Sequence, residues 1–217
     1  MNQEKILVSD FDGTMTERDF YQVALDVLPA EKRVIWEEYK RGERDLFPAL
    51  AAIFSKLRGL SSSIESLLDR VGLDKDMVDS CRRLQLQGWK LVIASAGCAW
   101  YIEKLLFPLG IDPEIQANPG HYSEEKGLIM EYPIGSPYFS PATGIDKSLV
   151  VKKALNRALL AFAGDGRPDL EAALLVDPSR RFARGDLARE LTRRGEPFRP
   201  FHSWSAMVKA LLADQEG

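Results

Sequence analysis

Cysteine and histidine are both scarce: Cys81, Cys98, His121 and His202 are the whole complement in 217 residues. Two cysteines make neither a disulfide framework nor a metal-binding spacing, so the setting expected is reducing and cytoplasmic. Cys98 reads as a passive small residue and the two histidines as surface or packing residues. Charge of one sign is also missing. With 29 basic and 32 acidic residues the net charge is −3, which leaves no electrostatic footprint for nucleic acid or an anionic membrane. No apolar run approaches the roughly 20 residues needed to cross a bilayer. The N-terminus enters a short apolar run with no cleavage-type segment. Repeats and low-complexity linkers are absent. What remains is 45% hydrophobic and 28% charged, an ordinary soluble globular composition, long enough for one core plus a small accessory unit.

Short apolar runs alternate with amphipathic stretches. Residues 5–11, 89–94, 113–117, 159–165 and the stretch RRFA read as strands. Helical spacing marks 77–86, 100–109, 147–159, 168–176, 187–194 and 204–212. The stretch 128–132 reads as one arm of a hairpin. Such alternation predicts an α/β fold, a Rossmann-like parallel sheet with helices on both faces. Residues 17–80 are helical throughout, too long for a simple crossover, and read as an inserted helical cap. The division expected is 1–15 and 81–217 for the α/β catalytic core and 16–80 for the cap. A basic run at Arg180, Arg181 and Arg184 reads as a solvated helix face.

Four pieces carry chemistry. Asp10-Phe11-Asp12-Gly13-Thr14 ends the first strand. Carboxylates at i and i+2 project on the same side of a strand and repel unless a cation or proton offsets them. Oxygen ligands of this kind suit Mg²⁺. Gly13 permits unusual backbone angles, and Thr14 offers a hydroxyl and an N–H to an oxyanion. Ala163-Gly164-Asp165-Gly166-Arg167-Pro168-Asp169 ends another apolar strand in a second carboxylate. Asp169 either ligates metal, orients its waters, or caps the helix that follows. Ser95-Ala96-Gly97 ends a third strand with a hydroxyl and open amides suited to phosphate oxygens. A lysine near the cluster would neutralise it, and Lys147, Lys152 and Lys153 compete for that place.

These pieces, in this order at successive strand ends, resemble the haloacid dehalogenase superfamily over nearly the whole chain. The resemblance implies a phosphatase acting on a small-molecule phosphate monoester, with Mg²⁺ as cofactor. Asp10 is then the nucleophile and Asp12 the general acid and base. Lys147 becomes the lysine of the third motif, and Thr14, Ser95, Ala96 and Gly97 the phosphate-binding residues. Metal binding is implied for Asp10, Asp12 (through its carbonyl), Asp165 and Asp169. The helical insert resembles the cap of the branch holding the phosphoserine and methionine-salvage phosphatases. There Asp19 takes the place of a substrate-contacting acid, and the cap arginine for a substrate carboxylate is missing near Leu50–Ile53. The segment 134–147 lacks the cysteine-rich loop that methionine-salvage phosphatases can carry. Phe20, Tyr21, Trp36 and Tyr39 either pack between cap helices, the default, or line a substrate pocket. A monomer or homodimer is expected. Two rival readings remain: a phospho-receiver-like binding module, disfavoured by the helical block, and a catalytically silent relative, disfavoured because every chemical residue is present.

Overall fold

A computed structural model describes residues 4–59 and 63–213. Residues 60–62, part of the expected cap, lie outside the described residues. In chain order, β1 (Glu4–Ser9) leads to a helical block of α1 (Phe20–Val27), α2 (Val34–Lys40), α3 (Leu46–Phe54) and α4 (Ile64–Asp69). The chain continues with α5 (Met77–Leu86), β2 (Trp89–Cys98), α6 (Ala99–Leu106) and β3 (Glu114–Asn118). Two small antiparallel hairpins follow, β4 (Gly120–Ser123) with β5 (Gly127–Met130), and β6 (Phe139–Ser140) with β7 (Gly144–Ile145). The last third holds α7 (Lys147–Leu155), β8 (Ala158–Gly164), α8 (Leu170–Leu174), β9 (Arg181–Ala183), α9 (Gly185–Arg194), β10 (Arg199–Pro200) and α10 (Trp204–Ala213).

Six strands pair in the order β10-β9-β8-β1-β2-β3, all parallel. Parallel strands need crossovers, and the helices supplying them cover both faces. Hence β1 reads Ile6-Leu7-Val8 without a polar break, and all three are fully buried. Pleating sends Leu7 into one core, with Phe11, Phe20 and Trp204. It sends Ile6 and Val8 into the other, with Val150, Phe162 and Leu187. The central strand therefore has both sides clamped, and its C-terminal end is a rigid mount for Asp10.

Two arginines correct the sequence reading of the basic run as a solvated helix face. Arg181 lies on β9 and is buried, with its guanidinium donating to the carbonyls of Ala173, Leu174, Val176 and Pro197. Strand alternation turned it inward, and a fork of five N–H donors suits a ring of carbonyls. Arg184, half-buried, donates to the carbonyls of Gly13 at 2.6 Å, Thr16 at 2.7 Å and His202 at 3.0 Å. It thereby ties the turn after β1 to the end of β9. On the other side, Trp204 Nε1 donates to Ser9 Oγ at 3.0 Å, pinning α10 beneath the same strand end.

Candidate active site

Every chemical motif converges on the C-terminal edge of the sheet, where open α/β sheets hold their ligands. Asp10 is buried beyond the end of β1, and its Oδ1 accepts from the Phe11 N–H at 2.7 Å. The Lys147 Nζ lies 2.6 Å from that same oxygen and 2.6 Å from Asp169 Oδ1. Lys147 is set by the start of α7, where the Asp146 carboxylate accepts from the Ser148 N–H and caps the helix. This resolves the competition among lysines: Lys147 is buried, whereas Lys152 and Lys153 are exposed.

Asp169 uses both of its oxygens. Oδ1 meets Lys147, and Oδ2 accepts from the N–H groups of Asp165 and Gly166 at 3.0 and 2.9 Å. It fixes the loop that carries Asp165. Thr14 is buried and its hydroxyl donates to Asp165 Oδ1 at 3.1 Å, so this side chain braces the cluster and does not line the cavity. Gly13 has φ +67, and a Cβ there would overlap the Asp165 carboxylate. Glycine is required both by the backbone angle and by the approach of two chain segments.

The third strand end is irregular. The register of β2 against β3 shifts between Ala94 and Cys98, which re-aims the stretch Ser95-Ala96-Gly97 toward the cavity. Ser95 Oγ accepts from the Gly97 N–H at 2.9 Å. Asn118, at the end of β3, donates to the Ala96 carbonyl at 2.7 Å and holds this bend. The sequence reading missed Asn118, Arg184 and Tyr101. The hydroxyl of Tyr101 donates to Asp12 Oδ2, and Asp12 Oδ1 accepts from the Phe20 N–H at 2.9 Å.

These groups floor a cavity of about 720 Å³. Its opposite wall is helical: Asp19 and Tyr21 come from the start of the helical block, Trp36 and Tyr39 from α2, Leu50 and Phe54 from α3. The aromatics do both things expected of them. Tyr21 and Trp36 stack with centroids 3.7 Å apart, Trp36 and Tyr39 lie 4.7 Å apart, and all three face the cavity. Phe20 is buried against Phe54 and Tyr101 instead.

Charge in this pocket is unbalanced. Carboxylate oxygens of Asp10, Asp165 and Asp169 all lie within 4.8 Å of one another, and Lys147 is the cation among them. Burial, then the neighbouring Asp169, push the pKa of Asp10 well above its ordinary value, with Lys147 opposing. Burial and Asp169 push Asp165 up to about 7. Burial, then Asp12 and Asp10, push Asp19 up to about 7. Burial disfavours the charge on Lys147, but Asp10 and Asp169 outweigh it and hold its pKa above the ordinary lysine value. An all-oxygen donor set with surplus negative charge fits a hard divalent cation.

This imbalance has a measurable consequence. Asp165 ionises near 3.8 when unfolded and near 7 when folded, so between those values the folded chain holds a proton the unfolded chain has lost. Stability therefore falls as pH rises through that window. In chelator, Asp165→Asn is expected to be more stable than the parent by about 2 kcal/mol at about pH 8, with the gain shrinking toward about pH 5. Urea midpoints at the two pH values check this. A variant less stable than the parent at the higher pH contradicts it.

Similarity to known proteins accords with this geometry. The sequence profile of the haloacid dehalogenase-like hydrolases matches residues 7–174. A 2-hydroxy-3-keto-5-methylthiopentenyl-1-phosphate phosphatase of Lysinibacillus sphaericus is 27% identical over 218 residues, covering 95% of each chain. A phosphoserine phosphatase of Archaeoglobus fulgidus is 25% identical over 181 residues, 77% of this chain and 49% of that one. Among solved structures, a haloacid dehalogenase family hydrolase from Salmonella enterica serovar Typhi superposes with a TM-score of 0.72 at 18% identity, over 95% of this chain and 71% of that one. A phospho-aspartyl intermediate analogue of phosphoserine phosphatase gives 0.67 at 17% identity, over 96% and 99%. Sheet order, clustered aspartates and matched profile together make this chain a member of the haloacid dehalogenase-like hydrolases.

Proposed function

We propose that the chain is a Mg²⁺-dependent phosphatase that hydrolyses a small phosphate monoester through a phospho-aspartate on Asp10. The observation that carries this reading is Asp10 itself, a buried carboxylate on the central strand, 2.6 Å from the ammonium of Lys147. An oxygen of Asp10 attacks phosphorus and the bond from phosphorus to the leaving oxygen breaks. Asp12 gives its proton to that oxygen. Water then attacks phosphorus, Asp12 takes the proton from the water, and phosphate leaves with Asp10 regenerated. Two displacements replace one difficult one.

Lys147, Ser95 and the amide of Ala96 hold the phosphoryl oxygens by position and charge, and the Gly97 N–H, on Ser95 Oγ, aims that hydroxyl. Asp10, the Asp12 carbonyl and Asp165 hold the metal, with Asp169 orienting both Lys147 and the Asp165 loop. Bound Mg²⁺ supplies positive charge that offsets the carboxylates and the phosphoryl oxygens. Thr14 acts by bracing Asp165. Residues 16–80 form the cap, and Asp19 meets a donor on the leaving group.

The relative from Lysinibacillus sphaericus points to an intermediate of methionine salvage, and the cavity supports that direction. Leu46, Leu50 and Phe54 give its cap side an apolar floor suited to an alkyl or thioether tail. Phosphate release from a panel of phosphorylated metabolites tests the reading. Release from small acyclic monoesters is expected, falling about 10²-fold or more in chelator and returning with Mg²⁺. Absence of release from every monoester, or release indifferent to chelator, overturns it.

A further inference from the structure

We propose that the Tyr101 hydroxyl is a positioning group for Asp12, and that residue 97 is glycine to leave room for it. The inference rests on Asp12 being the acid and base of the reaction and adds the device that aims it. Tyr101 lies near the start of α6, is 1% exposed, and has its hydroxyl on Asp12 Oδ2. The other carboxylate oxygen accepts from the Phe20 N–H at 2.9 Å. The carboxylate is thus held at both ends, from two separate parts of the chain. Each oxygen has two lone pairs, and these donors take one apiece. The other lone pairs are left for the proton that Asp12 gives and takes.

The ring cannot easily turn away. It packs on Phe20 with centroids 4.7 Å apart, meets Phe54 edge-on at 6.1 Å, and lies 6.3 Å from Phe11. Phe11 adjoins Asp12 in sequence and Phe20 gives its N–H to Asp12, so the ring packs on residues tied to the carboxylate it holds. Residue 97 completes the fit. A Cβ on Gly97 would overlap the Tyr101 hydroxyl oxygen and come within 2.9 Å of Asp12 Oδ2. Gly97 has no positive φ to explain it, so the requirement there is space for this hydrogen bond.

The leaving group separates positioning from packing. The value of kcat/KM reports steps up to the first phosphoryl transfer, where Asp12 acts as an acid. An alkoxide needs that proton; p-nitrophenolate does not. Tyr101→Phe keeps the ring and deletes the hydroxyl. With Mg²⁺ present it is expected to lose about 10–10²-fold in kcat/KM on a primary alkyl phosphate, and about threefold or less on p-nitrophenyl phosphate. Gly97→Ala displaces the same hydroxyl but also disturbs the Ser95-Ala96-Gly97 bend, so it is expected to lose activity on both substrates, with the larger loss on the alkyl phosphate. The double variant is expected to fall within about threefold of the worse single one on the alkyl phosphate. Equal losses of Tyr101→Phe on both substrates, or its full activity on both, overturn the inference. Asp10→Asn run alongside tells the two failures apart. If that variant is inert while Tyr101→Phe shows no selectivity, the tyrosine role alone falls. If Asp10→Asn turns over normally, the phospho-aspartate reading falls and this one with it.

Discussion

Asp10→Asn is expected to lower turnover by about 10⁴-fold or more while leaving the melting temperature unchanged or raised. Asparagine fills the same volume, and its carbonyl still accepts from the Phe11 N–H, now 2.7 Å from Asp10 Oδ1. A neutral amide does not attack phosphorus at a useful rate, so the first displacement is lost. Stability moves the other way. Burial and Asp169 both work against the charge on Asp10, and the substitution removes those costs. Lys147 keeps Asp169 at 2.6 Å, so it is not stranded. Steady-state turnover and thermal unfolding, measured on the same preparation, check both halves. Residual turnover above about one part in a hundred contradicts the nucleophile role.

Lys147→Met is expected to be damaging on both counts. Turnover falls about 10³-fold because a positive charge aimed at the phosphoryl oxygens is gone. The protein also loses about 3–5 kcal/mol at about pH 8, since removing one partner of a buried ion pair leaves the other charges uncompensated. In a domain of this size that is roughly 10 °C in melting temperature. The raised pKa of Lys147 means that its charge, and the stability it contributes, persist through neutral pH and are lost only in strong alkali. The loss therefore varies with pH through the carboxylates. Asp10 is pushed up even beside Lys147, and without the lysine it takes up a proton more readily. The variant is expected to recover part of its deficit as pH is lowered toward about 5, and part on adding Mg²⁺. A deficit that is the same at both pH values contradicts this electrostatic account.

Much of the site was legible because the sheet obeys a simple rule. Apolar strands end at one edge, and whatever polar residue follows each strand meets the others there. Asp10 and Asp165 each follow such a strand, so reading strand ends sufficed for them, whereas Ser95 closes the apolar run but lies inside β2, which continues to Cys98. Lys147 needed the structure, because Lys152 and Lys153 sit on the same helix and only burial tells them apart. One arm of the β4–β5 hairpin was read, at 128–132 against the observed Gly127–Met130; its partner β4 was not, and β6, β7 and β10 are two residues each, too short to leave a pattern.

The supporting residues were hidden for a different reason: their partners are distant in sequence. Tyr101 stands in an ordinary amphipathic helix, 89 residues from Asp12. Arg184 looked like one member of a charged run, yet its partners Gly13 and Thr16 are 171 and 168 positions away. Asn118 ends a short strand, and its grip on Ala96 follows only from strand pairing. Local sequence reports which residues do chemistry. Which residues hold them in place is a property of the closed fold.

The most direct test of the account is to find where the phosphoryl group goes. Enzyme mixed with substrate and Mg²⁺, quenched in acid within the first turnovers and digested, should carry one phosphoryl group on the peptide holding Asp10, and none after Asp10→Asn. A phosphoryl group on Asp12 or Asp165 instead, or active enzyme that never becomes labelled, would contradict it.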